Sequence, residues 1–85
     1  MEVDYKSDLE KVEYVLKGVA QEHEGILQEP KPRVRFRSFA ESGIQLELLA
    51  YIDKPVNKGR ITHELIKNIK TAFNQENIVI PYPHR

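Results

Sequence analysis

The sequence predicts an α+β domain of the ferredoxin-like class, with element order β-α-β-β-α-β and both helices on one face of an antiparallel sheet. Three observations carry this expectation. Two segments repeat apolar residues every three or four positions, and between them lie two segments that alternate apolar with polar residues. Short β-prone runs, Val3–Tyr5 and Ile78–Ile80, flank this block. Along the two central strands only one side is continuously apolar, as expected where helices cover a single sheet face.

Val3 and Tyr5 alternate with Asp4 and Lys6, a first strand of about four residues. Ser7-Asp8-Leu9-Glu10 reads as a capping box, in which the Ser7 hydroxyl accepts from the Glu10 amide and Glu10 reaches back. Leu9, Val12, Leu16, Val19 and Ala20 share one helical face, which Val15 widens. The first helix is expected over Asp8–Glu24, stopped by a left-handed Gly25, with Ile26 folding back on Ala20.

Pro30 and Pro32 exclude helix and favour an extended lead-in. Val34 and Phe36 then alternate with Arg33, Arg35 and Arg37. Ile44, Leu46, Leu48, Ala50 and Ile52 alternate with Gln45, Glu47 and Tyr51. These are two strands of a hairpin. Their apolar faces coincide only if paired positions sum to an even number, which requires an odd-numbered loop. A three-residue loop at 41–43 with Gly43 left-handed satisfies this. It sets Phe36 opposite Leu48, Val34 opposite Ala50 and Arg37 opposite Glu47.

Lys54-Pro55-Val56-Asn57 is a turn. Ile61, Leu65, Ile69, Ala72 and Phe73, with Ile66 beside them, mark a second helix over residues 58–76. Asn77 suits a left-handed stop, with Ile78 contacting Phe73 in a Schellman arrangement. Ile78-Val79-Ile80 reads as the fourth strand, and Pro81-Tyr82-Pro83 ends it. Leu16, Phe36, Leu46, Leu48, Ile69 and Phe73 are the expected core.

Eighty-five residues allow one domain with a thin core. The absence of cysteine excludes disulfide frameworks, Cys-zinc sites and thiol chemistry. The longest apolar run, Leu48–Ile52, falls far short of the ~20 residues of a membrane-spanning helix. Thirteen basic and thirteen acidic residues cancel, which argues against a general polyanion binder. They are unevenly placed: residues 1–29 hold eight acids and three bases, residues 30–85 ten bases and five acids.

Several residues invite functional readings. Arg33, Arg35 and Arg37 form a basic stripe along one strand face. A nucleic-acid platform would need base-stacking aromatics beside it, and only Tyr51 is expected there. The stripe is therefore read as an exposed or subunit-facing surface with cross-strand pairs such as Arg37–Glu47. His23, His63 and His84 lack metal-ligand spacing and read as surface histidines. Asp8 and Arg60 could be imagined as a phosphatase pair, but the turn before Asp8 has no glycine to cradle an anion. No catalytic residue, cofactor or metal is expected. The first helix carries five acids and two bases, the segment Lys54–Lys70 five bases and one acid. These are either plain solvated faces or complementary faces of neighbouring subunits in a head-to-tail ring.

Five pieces of the chain together resemble the C-terminal domain of the small-conductance mechanosensitive channel (MscS) family. They are Val3-Asp4-Tyr5 with Asp8; Ile26-Leu27 through Pro30 and Pro32; Ser42-Gly43-Ile44-Gln45-Leu46-Glu47-Leu48; Ile66 to Phe73; and Ile78-Val79-Ile80-Pro81-Tyr82-Pro83. The last is similar to the family's Ile-x-Ile/Phe-Pro-Phe/Tyr-Pro-Gln signature, with His84 in place of the glutamine. Lys58-Gly59 replaces an aromatic pair common at the start of the second helix, and Asn77 stands where the family often has glycine. The resemblance implies an excised cytoplasmic domain of an inner-membrane channel that opens under tension during osmotic shock. It implies a homo-oligomer, a heptameric ring in the archetype, whose membrane contact runs only through transmembrane segments outside this sequence. The domain would wall a vestibule and do no chemistry. Arg33, Arg35 and Arg37 would face the vestibule or a subunit interface, and Pro81, Tyr82 and Pro83 would lead toward the axis. The isolated domain is expected to be monomeric or weakly associating, with no nucleic-acid partner. The alternatives are a free-standing ferredoxin-like ligand-binding or regulatory module and, more remotely, a small hydrolase.

Overall fold

A computed structural model describes residues 1–81. In chain order the elements are β1 (Glu2–Val3), α1 (Leu9–Glu22), β2 (Arg33–Phe39), β3 (Ile44–Leu49), a 3-10 turn (Pro55–Asn57) and α2 (Lys58–Gln75). The strands form an antiparallel sheet in the order β1-β3-β2. Placing β3 between β1 and β2 is the split βαβ arrangement of the predicted class.

The fourth strand needs correction. Among the described residues Ile78–Ile80 makes one backbone bond to the segment at β1, just past the strand's end, the Asp4 N–H donating to the Val79 carbonyl at 3.0 Å. The chain turns at Tyr5 and Lys6, which leaves β1 only two residues long instead of about four. So short a partner cannot support a ladder, and the described residues give three strands.

Asp8, not Ser7, caps α1. Its Oδ1 accepts the Glu10 and Lys11 amides at 3.1 and 3.3 Å, and its charge complements the positive end of the helix. The helix ends at Glu22, two residues early, with His23 extended at φ −78°. Gly25 is not left-handed, since no glycine among the described residues has positive φ. It serves close approach instead: a Cβ at Gly25 would lie 2.7 Å from Ile61 Cδ1. The end of α2 matches expectation. Asn77 has φ 58°, the Ile78 amide donates to the Phe73 carbonyl at 2.9 Å, and the Asn77 amide donates to the Asn74 carbonyl at 3.4 Å. That is the double bond of a Schellman stop.

The hairpin keeps the predicted parity but not the predicted register. Val34 faces Leu48, Phe36 faces Leu46, and Arg35 rather than Arg37 faces Glu47. The loop is Ala40–Gly43, closed by the Ala40 amide on the Gly43 carbonyl at 2.7 Å. An even loop alone would put the two apolar faces out of step. A bulge at Arg37 restores the step, so that Ser38 pairs with Gln45 and Phe39 with Ile44. Gly43 is held by its neighbour strand, because a Cβ there would sit 2.2 Å from the Val3 carbonyl oxygen. Beyond Leu49 pairing passes to the turn after α1, where Ile52 bridges Ile26 and the Leu27 amide donates to the Tyr51 carbonyl at 2.8 Å.

Both helices bury their apolar stripes on the sheet face carrying Val3, Ile44 and Leu46. The core unites these with Val12, Leu16, Ile69, Phe73 and Ile78. Phe36 and Leu48 are only half-buried, since β2 is an edge strand and Leu48 lines an open groove. Gly18 lies within α1, where an added Cβ would have nothing within 4 Å beyond its own helix. Glycine inside a helix costs ~0.5–1 kcal/mol relative to alanine. Gly18→Ala is expected to stabilise the fold by about that amount, read as a raised urea midpoint at constant slope.

Candidate functional site

Alternation along β2 sends Arg33 and Arg35 to the sheet face away from the helices, and all three stripe arginines are exposed. The bulge takes Arg37 out of the ladder. Its Nε still reaches Glu47 Oε1 at 3.7 Å, so the expected pair forms diagonally rather than directly. Cross-strand partners on this outer face are Glu2 with Gln45, Ser38 with Gln45, Arg35 with Glu47, and Arg33 with Leu49. These rows hold no aromatic ring on which a base could stack. Tyr51 is half-exposed beyond the end of β3. The exposed Phe39 stacks on Tyr5 at 6.3 Å, and the Tyr5 hydroxyl donates to the Ala40 carbonyl.

The imagined phosphatase pair has other partners. Asp8 is consumed as the cap of α1, and Arg60 Nη1 pairs with Glu64 Oε1 at 3.1 Å. Pro81 is half-buried against Gly43, while Tyr82, Pro83 and His84 lie outside the described residues.

Two features escaped sequence reasoning. The first is an apolar groove of about 600 Å³ between α2 and the chain leaving β3, walled by Ile26, Leu48, Ile52, Ile61, Leu65 and Ile66. The second is His23, which is buried rather than on the surface. Its Nε2 lies 2.7 Å from Glu64 Oε1 and its Nδ1 accepts the Gly25 amide at 2.9 Å. The only hint in the sequence is the Arg60–Glu64 helical spacing, which positions the carboxylate. His63 is exposed.

The His23 hydrogen bond, and then Arg60, hold the Glu64 carboxyl below the usual carboxylate range against an opposing desolvation effect. A carboxylate whose pKa falls on folding contributes stability that is full above its unfolded value and lost as pH drops through the folded one. The stability gap between the native protein and Glu64→Gln is therefore expected to be present in full above the carboxylate range. It should narrow as pH falls through the carboxylate range. Denaturant midpoints measured across pH check this, and a pH-independent gap would show that the charge of Glu64 is not what holds His23.

The match that assigns the chain covers almost all of it: residues 1–80 fit the family described as mechanosensitive ion channel MscS, C-terminal. The chain belongs to the MscS C-terminal domain family. An MscS family protein of Haemophilus influenzae is 34% identical over 80 residues, covering 94% of this chain. The mechanosensitive channel MscK of Escherichia coli is 36% identical over 82 residues, covering 86% of this chain. An MscS family protein of Synechocystis is 26% identical over 83 residues. The MscS C-terminal domain described here spans 7% of the length of the first two relatives and 28% of the third. Among the described residues of this MscS domain, no helix is long and apolar enough to cross a membrane.

Proposed function

We propose that this chain is the vestibule-forming cytoplasmic domain of a mechanosensitive channel whose full-length protein opens under membrane tension and releases ions and small osmolytes. The supporting observation is the MscS family match over residues 1–80 on a domain with ferredoxin-like strand order. The reading makes the domain a non-catalytic wall without cofactor or metal. It sits on the cytoplasmic side of the inner membrane within a homo-oligomeric ring, heptameric as in the archetype. Arg33, Arg35 and Arg37 then lie on the vestibule, a portal or a subunit contact. There their charge would bias ion passage. Pro81, the last described residue, begins the proposed lead toward the ring axis.

The test is expression of the full-length gene product in a bacterium stripped of its own mechanosensitive channels. Tension-activated currents in membrane patches, and survival of hypo-osmotic shock, are expected. A full-length product without membrane spans and without current would overturn the reading in favour of a free-standing ligand-binding or regulatory module.

The isolated domain is expected to be monomeric or weakly associating. Association costs at least ~4 kcal/mol of translational and rotational freedom. Charges on a small lateral face are screened beyond ~8 Å at physiological salt. Light scattering at about 10 μM in ~0.15 M salt checks this, and a stable ring there would show that the domain alone encodes assembly.

A further inference from the structure

A neutral imidazole has one donor and one acceptor nitrogen, and its neighbours decide which is which. His23 is only 8% exposed, and each ring nitrogen has one partner. The Gly25 amide, 2.9 Å from Nδ1, can only donate, so Nδ1 carries no proton. The ionised Glu64 carboxylate, 2.7 Å from Nε2, can only accept, so Nε2 carries the proton. Both neighbours select the same tautomer.

We propose that His23 is a proton-operated latch: as the neutral Nε2–H tautomer it closes the turn after α1 onto α2, and protonation at Nδ1 opens that turn. The second proton would enter where the Gly25 amide already points, placing two donors face to face. The new charge strengthens the bond from Nε2 to Glu64. The ring is therefore retained on α2 and the turn gives way.

The turn controls more than itself. Gly25 packs closely on Ile61, where an added Cβ would lie 2.7 Å from the Ile61 Cδ1 and displace that side chain. The Ile26 amide donates to the His23 carbonyl at 3.1 Å, and Ile26 is buried and bridged to Ile52. Ile26, Ile52 and Ile61 are three walls of the apolar groove. Opening the turn therefore moves a groove wall, which couples proton uptake to the shape of that surface. This holds whether or not the channel reading is right.

The charged and titratable groups around His23 come from both sides. From α2, Arg60 shares Glu64 Oε1 at 3.1 Å, and His63 and Lys67 border the same shallow hollow. From the end of α1, Glu22 and Glu24 flank His23 in the chain and are exposed. His63 is a second imidazole at the hollow, so the test replaces it with His63→Gln, an exposed change.

The experiment is a nitrogen-15 titration of the His63→Gln protein from about pH 8 to about pH 5, following the His23 ring nitrogens and the Gly25 amide. At the alkaline end Nδ1 should show the shift of an unprotonated nitrogen and Nε2 that of a protonated one. On acidification the Gly25 amide and the Ile26, Ile52 and Ile61 methyl groups should move with the same midpoint as Nδ1. Exchange of the Gly25 amide should then quicken by about tenfold or more once intrinsic pH dependence is removed. An Nδ1–H tautomer at the alkaline end would overturn the proposal. So would a Gly25 amide that ignores the ring titration, or one that moves while the groove methyl groups do not.

Discussion

Phe73→Ala is expected to cost about 3–5 kcal/mol, since Phe73 is the largest fully buried side chain among the described residues. Phe73 is 1% exposed and lies in the last turn of α2, amid Val12, Leu16, Leu46 and Ile69. Its removal leaves a cavity that the surrounding elements cannot all collapse to fill. Its carbonyl also anchors the Ile78 amide, so the ring and the backbone stop of α2 share one residue. Ile78 belongs to the same core and precedes the contact of Val79 with β1. A chain of this length has a total stability of roughly 4–13 kcal/mol at ~0.05–0.15 kcal/mol per residue. The variant should therefore be mostly unfolded at moderate urea, or unfolded outright in a weakly stable background. A loss below about 1 kcal/mol would remove Phe73 from the core.

Gly43→Ala should cost ~2–3 kcal/mol through a different mechanism, overpacking against backbone. The added Cβ would meet the Val3 carbonyl oxygen at 2.2 Å, with Val3 C and Pro81 Cγ each at 3.0 Å. A carbonyl in a strand cannot rotate aside as a flexible side chain can. The expected response is displacement of β1, which is held to β3 by the pairs Glu2–Gln45 and Val3–Ile44. Hydrogen exchange should therefore quicken at the Val3, Ile44 and Leu46 amides while the middle of α1 stays protected. Gly18→Ala adds the same methyl group and is expected to act with the opposite sign. A Gly43→Ala protein as stable as the native one would mean that β1 docks less closely than described.

The helices were legible because their signals are local. The stripes Val12-Leu16-Ala20 and Ile61-Ile69-Phe73 report a buried face without knowledge of the partner, and the stop at Asn77 depends on one residue and its neighbours. The cap of α1 is legible only to within one residue, because Ser7 and Asp8 are both capping residues. Backbone angles, not composition, choose between them. Hairpin parity was legible, since alternation fixes which side faces in. Its offset was not, because β1 docking on Gly43 and the bulge at Arg37 set it. The length of the fourth strand depended on where β1 turns away, a feature of the far end of the chain. Arg33, Arg35 and Arg37 are exposed on β2, as alternation leads one to expect, though the bulge takes Arg37 out of the ladder. The burial of His23 was not legible, since its partner Glu64 stands 41 residues away and no pattern links them.

The bond from Asp4 to Val79 has a consequence for how the chain reaches its native state. Within this domain, β1 leaves the ribosome before the other elements and is completed only by the segment that follows α2. Its other neighbour, β3, arrives only after α1 and β2 have been synthesised. Closing contacts across nearly the whole length of the chain is slow relative to local helix formation. During synthesis the residues around Val3 therefore wait unpaired, with an apolar side chain uncovered. Nascent chains halted before Ile78 emerges should hold α1 and the hairpin in order while leaving Met1–Asp4 open to protease.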